Sequence, residues 1–179
     1  MTTTHPGRRI PFVLALLAIA LAGLAFAVPG SADAKHQSSE RLVVRGDDTV
    51  VEKPCPGGLC IELTDASFRG TVGTGAYTGS MKLDLANAFP NGEGGVCAPV
   101  TGHIVLGAGT PDRIDLAVWG DSCQDGAGDP TKSSFTGLTR FAVVHGTGAY
   151  AKAHGGGVMT STEDASDRGH MTLIGRISR

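Results

Sequence analysis

The stretch Val100-Thr101-Gly102-His103-Ile104-Val105-Leu106 places most of its apolar side chains on alternate positions. A period of two residues is that of a β-strand that buries one of its two faces. The same alternation returns in Ile114-Asp115-Leu116-Ala117-Val118-Trp119. These two segments predict strands, and they set the pattern by which the rest of the chain is interpreted.

Further segments after residue 34 have the same pattern of short strands and turns. Clusters of Gly, Pro, Asn and Asp separate them, as at 89–92 and 125–130. No stretch after residue 34 shows helical periodicity over three turns. We therefore expect an all-β fold, a single antiparallel β-barrel of about eight strands, because closing a sheet removes its exposed edges. The additional predicted strands lie at 61–64, 81–85, 135–144, 157–162 and 170–177.

The first 34 residues differ from the rest of the chain. Arg8-Arg9 precedes an apolar run over 10–28, Pro29-Gly30 breaks that run, and Ala32-Asp33-Ala34 ends in small residues. This pattern predicts a secretory signal helix that is cut after Ala34, by general or twin-arginine export. The alternative is an uncleaved membrane anchor, because the run is nearly long enough to span a bilayer. The break and the cleavage motif favour a secreted, extracellular protein with no stable membrane anchor.

The segment that follows the signal is long enough for one domain with its own core. Residues 35–58 are mainly polar and charged, and we expect a lead-in there that is flexible or forms one edge strand. Residues 59–179 are then the barrel domain. The formal net charge of the chain is −2, which supplies no basic surface for nucleic acid.

The four cysteines all lie in the exported part of the chain. An even number in an oxidising compartment predicts two disulfides, and a zinc site would need paired C-x-x-C spacing that is absent here. We therefore expect no metal and no cofactor. Of the three possible pairings we prefer Cys55–Cys60, which closes a small Pro-Gly-Gly loop, and Cys97–Cys123, which would tie two neighbouring strands near their ends.

The chain also contains an internal repeat. Residues 68–77 and 141–150 both read F-x-x-x-x-G-T-G-A-Y. We interpret each copy as a strand that ends in a tight glycine turn, in which the glycines allow positive φ and the tyrosine starts the next strand. The predicted turn residues are Gly73, Gly75 and Tyr77 in the first copy and Gly146, Gly148 and Tyr150 in the second.

The second copy continues as G-T-G-A-Y-A-K-A-H-G over 146–155, which resembles the G-T-G-(R/K)-(Y/F)-x-x-A-x-G turn of the dirigent and allene-oxide-cyclase β-barrels. Residues 94–177 look more like a group of uncharacterised secreted bacterial proteins assigned to that barrel class. The shared motifs are G-x-C-x-P at 95–99, F-T-G at 135–137 and T-L-x-G at 172–175. The resemblance implies a barrel of this class, but no catalytic residue of the plant enzymes maps onto this chain.

No known catalytic motif is complete. The H-G-G-G string at 154–157 resembles a lipase oxyanion loop, but the chain has no G-x-S-x-G nucleophile elbow. Gly120-Asp121-Ser122-Cys123 resembles a serine-hydrolase segment, but Cys stands where Gly is required. We therefore assign no catalytic residue and expect a non-catalytic binding or interaction module outside the cell.

The alternative implied by the resemblance is a cyclase or isomerase that acts on a small hydrophobic molecule inside the barrel. An eight-stranded barrel is just wide enough to be filled by side chains or to hold one small ligand. The polar residues that are candidates for the cavity lie within strands, and they face away from the apolar residues of those strands. This alternation favours positions on the outside of the barrel for them. A packed interior would contradict this enzyme, and an open cavity with two or more polar groups would support it. The candidate pocket residues are Glu62, His103, Asp115 and Arg140.

Overall fold

The computed structural model describes residues 38–124 and 134–179, and the predicted signal lies outside them. Within these ranges the backbone is mostly strand, and it is interrupted by two single-turn 3-10 helices, Leu85–Asn87 and Gly148–Tyr150. Within the described ranges, no helix is long and apolar enough to cross a membrane. The strands are β1 (Ser39–Cys55), β2 (Gly58–Gly70), β3 (Gly73–Leu83), β4 (Phe89–Pro90), β5 (Val96–Leu106), β6 (Ile114–Gln124), β7 (Phe135–Gly146), β8 (His154–Glu163) and β9 (Arg168–Ser178).

Eight of these strands form a closed antiparallel barrel, which confirms the expected fold class. The order around the ring is β3-β2-β1-β9-β8-β7-β6-β5, and pairing of β3 with β5 closes it. The short strand β4 pairs only with the start of β5 and lies outside the ring. Closure gives each ring strand two neighbours, so its backbone donors and acceptors are paired on both sides.

Strand β1 corrects the prediction of a lead-in over 35–58. Its residues pair with β2 on one side and with β9 on the other, and the side chains of Leu42 and Val44 are fully buried. The barrel wall therefore includes residues 39–55 of this segment. Several of its charged residues, such as Arg41 and Arg45, project from the outer face and are exposed, and they hide the apolar alternation when the composition alone is considered.

The two ends of the barrel are packed differently. We call one end the turn end, because the β2–β3 turn and the β7–β8 connection lie there, and the other the disulfide end. Large side chains fill the interior toward the turn end, whereas small residues take inward positions on β6 to β9 toward the disulfide end. The large set includes Phe68, Tyr77, Leu106, Ile114, Phe141 and Ile177, and the small set comprises Ser122, Gly137, Ser161 and Gly169.

Both predicted disulfides are confirmed. Cys55–Cys60 joins the two strands of the β1–β2 hairpin next to its turn. Cys97–Cys123 joins two residues that are direct partners on β5 and β6. Both bonds therefore hold pairs of neighbouring strands together at the same end of the barrel.

The two copies of the repeat adopt different local structures. In the first copy Gly73 has a φ of 107° and opens β3, and Tyr77 lies within that strand. In the second copy Gly148 has a φ of 54° and begins a 3-10 helix that contains Tyr150, so this tyrosine does not start β8. The β5–β6 loop explains the difference, because Asp112 accepts a hydrogen bond from the backbone N–H of Ala149 at 2.8 Å.

Candidate functional site

A cavity lies inside the barrel at the disulfide end. Its volume is about 60 Å³, and the barrel wall encloses it only in part. That space accommodates about four waters or a small organic group of similar size. The apolar part of its wall includes Val50, Ile61, Leu63, Met81, Met159 and Met171.

Two carboxyl groups lie in this mainly apolar wall, which also contains serine and threonine residues. Asp48 on β1 and Glu163 at the end of β8 both line the cavity. The strand between them is β9, and its residue Gly169 is the direct partner of Asp48 on one side and of Glu163 on the other. Direct partners on neighbouring strands project to the same face of the sheet, so the three residues form one inward-facing row.

Gly169 supplies the space in the middle of this row. A Cβ atom at position 169 would lie 2.1 Å from Oδ1 of Asp48, which is far shorter than any allowed contact. The Asp48 carboxyl group therefore lies over the glycine backbone. Only a residue without a side chain leaves room for it there.

Asp48 has one satisfied and one unsatisfied oxygen. Its Oδ2 accepts a hydrogen bond from the hydroxyl of Tyr77. Its Oδ1 is buried and has no hydrogen-bond partner among the described residues. Burial raises the pKa of Asp48, and the Tyr77 hydrogen bond and the His170 ring offset part of that rise. Burial and the Asp48 hydrogen bond likewise raise the pKa of Tyr77.

Glu163 carries a carboxyl group that titrates near neutrality. Burial raises its pKa to about 7, and repulsion from Glu52, Asp167, Asp48 and Asp164 adds to the shift. A carboxyl group with this pKa exists in both protonation states at neutral pH. It can therefore exchange a proton with a bound molecule, or respond to the charge of one.

The four pocket residues expected from the sequence do not line this cavity. Glu62, His103 and Arg140 are exposed on the outer face of the barrel. Asp115 also faces outward, where it lies 3.3 Å from both Arg113 and His145. The alternation of side chains along each strand indicated the outer face of the barrel for all four residues, and the structure places them there. Their assignment as pocket residues is therefore corrected.

The sequence interpretation missed Asp48 and Glu163 because of how it set the limits of two strands. Asp48 fell within the segment taken as a lead-in, and Glu163 lies one residue beyond the strand predicted over 157–162. Both residues continue the alternation of inward-facing positions along their strands, so extending the two predicted strands would have included them. The inward positions are 42, 44, 46, 48 and 50 on β1, and 159, 161 and 163 on β8.

An exposed apolar row crosses the outside of the barrel. Ile174, Val158, Arg140 and Trp119 are successive cross-strand partners on β9, β8, β7 and β6. The three hydrophobic side chains in this row are between 43% and 46% exposed. The row lies on the opposite face of the wall from the cavity and shares no residue with it.

Metal binding has no support within the described parts of the chain, where no group of three or more His, Cys, Asp and Glu side chains could hold an ion. Comparisons with protein-family models, with curated proteins and with solved structures found no match to this chain. The relationship to the dirigent and allene-oxide-cyclase barrels therefore stays a prediction. The barrel and the two-carboxyl cavity define the chemistry of the site.

Proposed function

We propose that this protein is a secreted, non-catalytic binding protein that holds one small, mainly apolar molecule in the cavity at the disulfide end of its barrel. The observation that carries the proposal is the pair of carboxyl groups, Asp48 and Glu163, in a mainly apolar cavity. Ligand pockets typically combine apolar walls with a few polar groups that orient the ligand.

The cost of this arrangement argues for a role in binding. A carboxyl group that is partly buried without a cationic partner destabilises the fold, and two such groups in one cavity also repel each other. A barrel with a purely structural role could place apolar side chains at positions 48 and 163. Groups that are unfavourable for stability and converge on one cavity are typical of functional sites.

The proposal also includes export of the protein to an oxidising compartment and its membership of a known class of β-barrels. Two disulfides fit an oxidising compartment, and the signal pattern over 1–34 supports export with cleavage after Ala34. The closed eight-stranded barrel, together with the G-T-G turn motif, supports membership of the dirigent and allene-oxide-cyclase barrel class.

A cyclase or isomerase is the second candidate, and one observation favours it. The pKa of Glu163 is raised to about 7, which suits a group that donates or accepts a proton at neutral pH. An enzyme of this kind would release a changed molecule, whereas a binding protein would return its ligand unaltered. Mass analysis of a ligand before and after incubation with the protein distinguishes the two.

The binding proposal is tested with the methionines as reporters. Three of the four methionines in the chain, Met81, Met159 and Met171, line the cavity. Native mass spectrometry of protein purified from culture medium is expected to reveal a small molecule that travels with it. Adding that molecule to ligand-free protein should shift the NMR signals of these methionine methyl groups.

A matched pair of variants locates the binding site. Ser161→Leu fills the cavity from β8, and Thr160→Leu makes the same kind of change at the exposed neighbouring position. We expect Ser161→Leu to abolish binding and Thr160→Leu to retain it. Binding that survives Ser161→Leu in folded protein would contradict the proposed site.

A further inference from the structure

We infer that the molecule held in this cavity is a small organic cation, an amine whose ammonium group lies between Asp48 and Glu163 and whose apolar part contacts the cavity methionines. This inference rests on the proposed function and adds the charge of the ligand to it. It depends on the row Asp48–Gly169–Glu163, on the unsatisfied oxygen of Asp48, and on the charges around the cavity.

The row supplies hydrogen-bond acceptors from two strands. Gly169 between them has no side chain, and the carboxyl group of Asp48 lies over its backbone, so no side chain separates the two carboxyl groups. On one side Oδ1 of Asp48 is buried and lacks a hydrogen-bond donor among the described residues. On the other side lies the carboxyl group of Glu163. A primary ammonium group has three N–H donors and no acceptor, so it can donate to both carboxyl groups at once.

The two charged side chains among the described lining residues are both acidic. Within the described parts of the chain, no Lys, Arg or His side chain lines the cavity. Glu163 also faces Glu52 from β1, and Asp164 and Asp167 from the β8–β9 turn. His170 interacts with Asp48, but its ring nitrogen Nδ1 lies 2.6 Å from Asp47 on the outer face. This field attracts a cation and repels a carboxylate ligand.

The apolar part of the wall selects the rest of the ligand. Met81, Met159 and Met171 line the cavity together with aliphatic side chains. Methionine is flexible and polarisable, so it adapts to small apolar groups of different shape. The expected ligand class is therefore an aliphatic or aromatic amine rather than an inorganic cation, which would leave this surface without a partner.

Binding of a cation should depend on pH in a defined direction. An ammonium group beside Glu163 stabilises the ionised carboxylate, so binding lowers the pKa of Glu163 and releases a proton to solvent. By linkage the affinity for an amine rises as the pH increases from about 6 to about 8. The affinity for a neutral ligand of the same size should be constant or should fall over this range.

Three probes of equal length test the inference: n-butylamine, 1-butanol and butyrate. The readout is the NMR shift of methyl-labelled methionines in the purified protein as each probe is added. We expect n-butylamine to bind at least about tenfold more tightly than either other probe, a difference of about 1.4 kcal/mol. Glu163→Gln should remove most of that preference, and the matched outer-face control Glu62→Gln should retain it.

The outcomes separate the two proposals. If 1-butanol or butyrate binds as tightly as n-butylamine, the cavity is a binding site but the inference about charge is wrong. If no probe shifts the methionine signals, the proposed function fails and the inference fails with it. If Glu163→Gln does not fold, the pH series on the unmodified protein decides: an n-butylamine affinity that does not rise with pH overturns the inference.

Discussion

Asp48 occupies the space that a side chain at position 169 would need, because its Oδ1 atom lies 2.1 Å from the Cβ position of Gly169. The two residues are direct partners on β1 and β9, and Gly169 is also the direct partner of Glu163 on β8. The position of an acidic side chain inside the barrel thus depends on a residue 121 positions away in the chain.

Gly169→Ala is expected to destabilise the protein and to displace Asp48. The added methyl group would overlap Oδ1, and overpacking of this kind typically costs about 1–3 kcal/mol. Gly75→Ala is the control, since the nearest atom to its added Cβ would be a ring carbon of Phe68 at 3.3 Å. Urea unfolding measures both changes, and equal stability losses for the two variants would contradict the packing argument.

The stability of the protein should fall between pH 4.5 and about 7. Burial raises the pKa of Glu163 from 4.5 to about 7, so in this range the folded state retains a proton that the unfolded chain has released. The stabilising effect of the proton on Glu163 is complete below pH 4.5 and is lost as the pH rises through about 7. Burial also raises the pKa values of Asp48 and Glu52, which adds to the same trend.

Glu163→Gln tests this pH dependence. Because solvent screens part of the repulsion, we expect the variant to gain about 1–2 kcal/mol over the unmodified protein above pH 7 and much less at pH 4.5. Thermal unfolding across this pH range gives the comparison, with Glu62→Gln as the exposed control. A gain that is the same at every pH would show that Glu163 does not titrate as described.

Tyr77→Phe should cost more stability than Tyr150→Phe. Without the Tyr77 hydroxyl, both oxygens of Asp48 lack a donor, and loss of a hydrogen bond to a buried charged group costs about 1.5–3 kcal/mol. The Tyr150 hydroxyl donates to the backbone carbonyl oxygen of Val72 at 3.1 Å, and loss of a neutral hydrogen bond costs about 1 kcal/mol.

The cost of Tyr77→Phe should also depend on pH. The Tyr77 hydrogen bond lowers the pKa of Asp48, so the variant should raise that pKa further. Its stability loss is therefore expected to be larger at pH 8 than at pH 4, whereas the loss in Tyr150→Phe should change little. Denaturant unfolding at the two pH values checks this, and a pH-independent loss in Tyr77→Phe would contradict it.

The two disulfides should stabilise the fold unequally. In the chain-entropy estimate, the Cys97–Cys123 bond with its sequence separation of 26 contributes about 3.5 kcal/mol, and the Cys55–Cys60 bond with its separation of 5 contributes about 2 kcal/mol. We therefore expect the variant in which Ser replaces both Cys97 and Cys123 to unfold at a lower temperature than the variant in which Ser replaces both Cys55 and Cys60. The reverse order would show that local effects at the β1–β2 turn exceed loop entropy.

Local patterns in the sequence were sufficient for most of the barrel wall but not for the site. Alternation in residues such as Ile104 and Leu116 predicted strands correctly, since period 2 is a local property of an extended chain. The cysteine pairing also followed from local spacing and from the expected adjacency of two strands. The place of β1 inside the ring was missed because charges on its outer face mask the buried positions Leu42 and Val44.

The repeat shows the limit of local reasoning. Identical G-T-G-A-Y strings lead into a strand at Tyr77 and into a 3-10 helix at Tyr150. The difference arises from Asp112, which lies in another loop and holds the backbone of Ala149. A contact between residues 37 positions apart therefore decides a local conformation that the repeat itself leaves open.

By itself, the sequence determined the all-β barrel and the two disulfides, because hydrophobic alternation and cysteine spacing are properties of short segments. Only the tertiary structure decided that Asp48 and Glu163 meet across Gly169. These residues lie on three strands whose register depends on closure of the whole ring. Closure also determines how deeply each carboxyl group is buried, and burial is the main cause of the raised pKa of both groups.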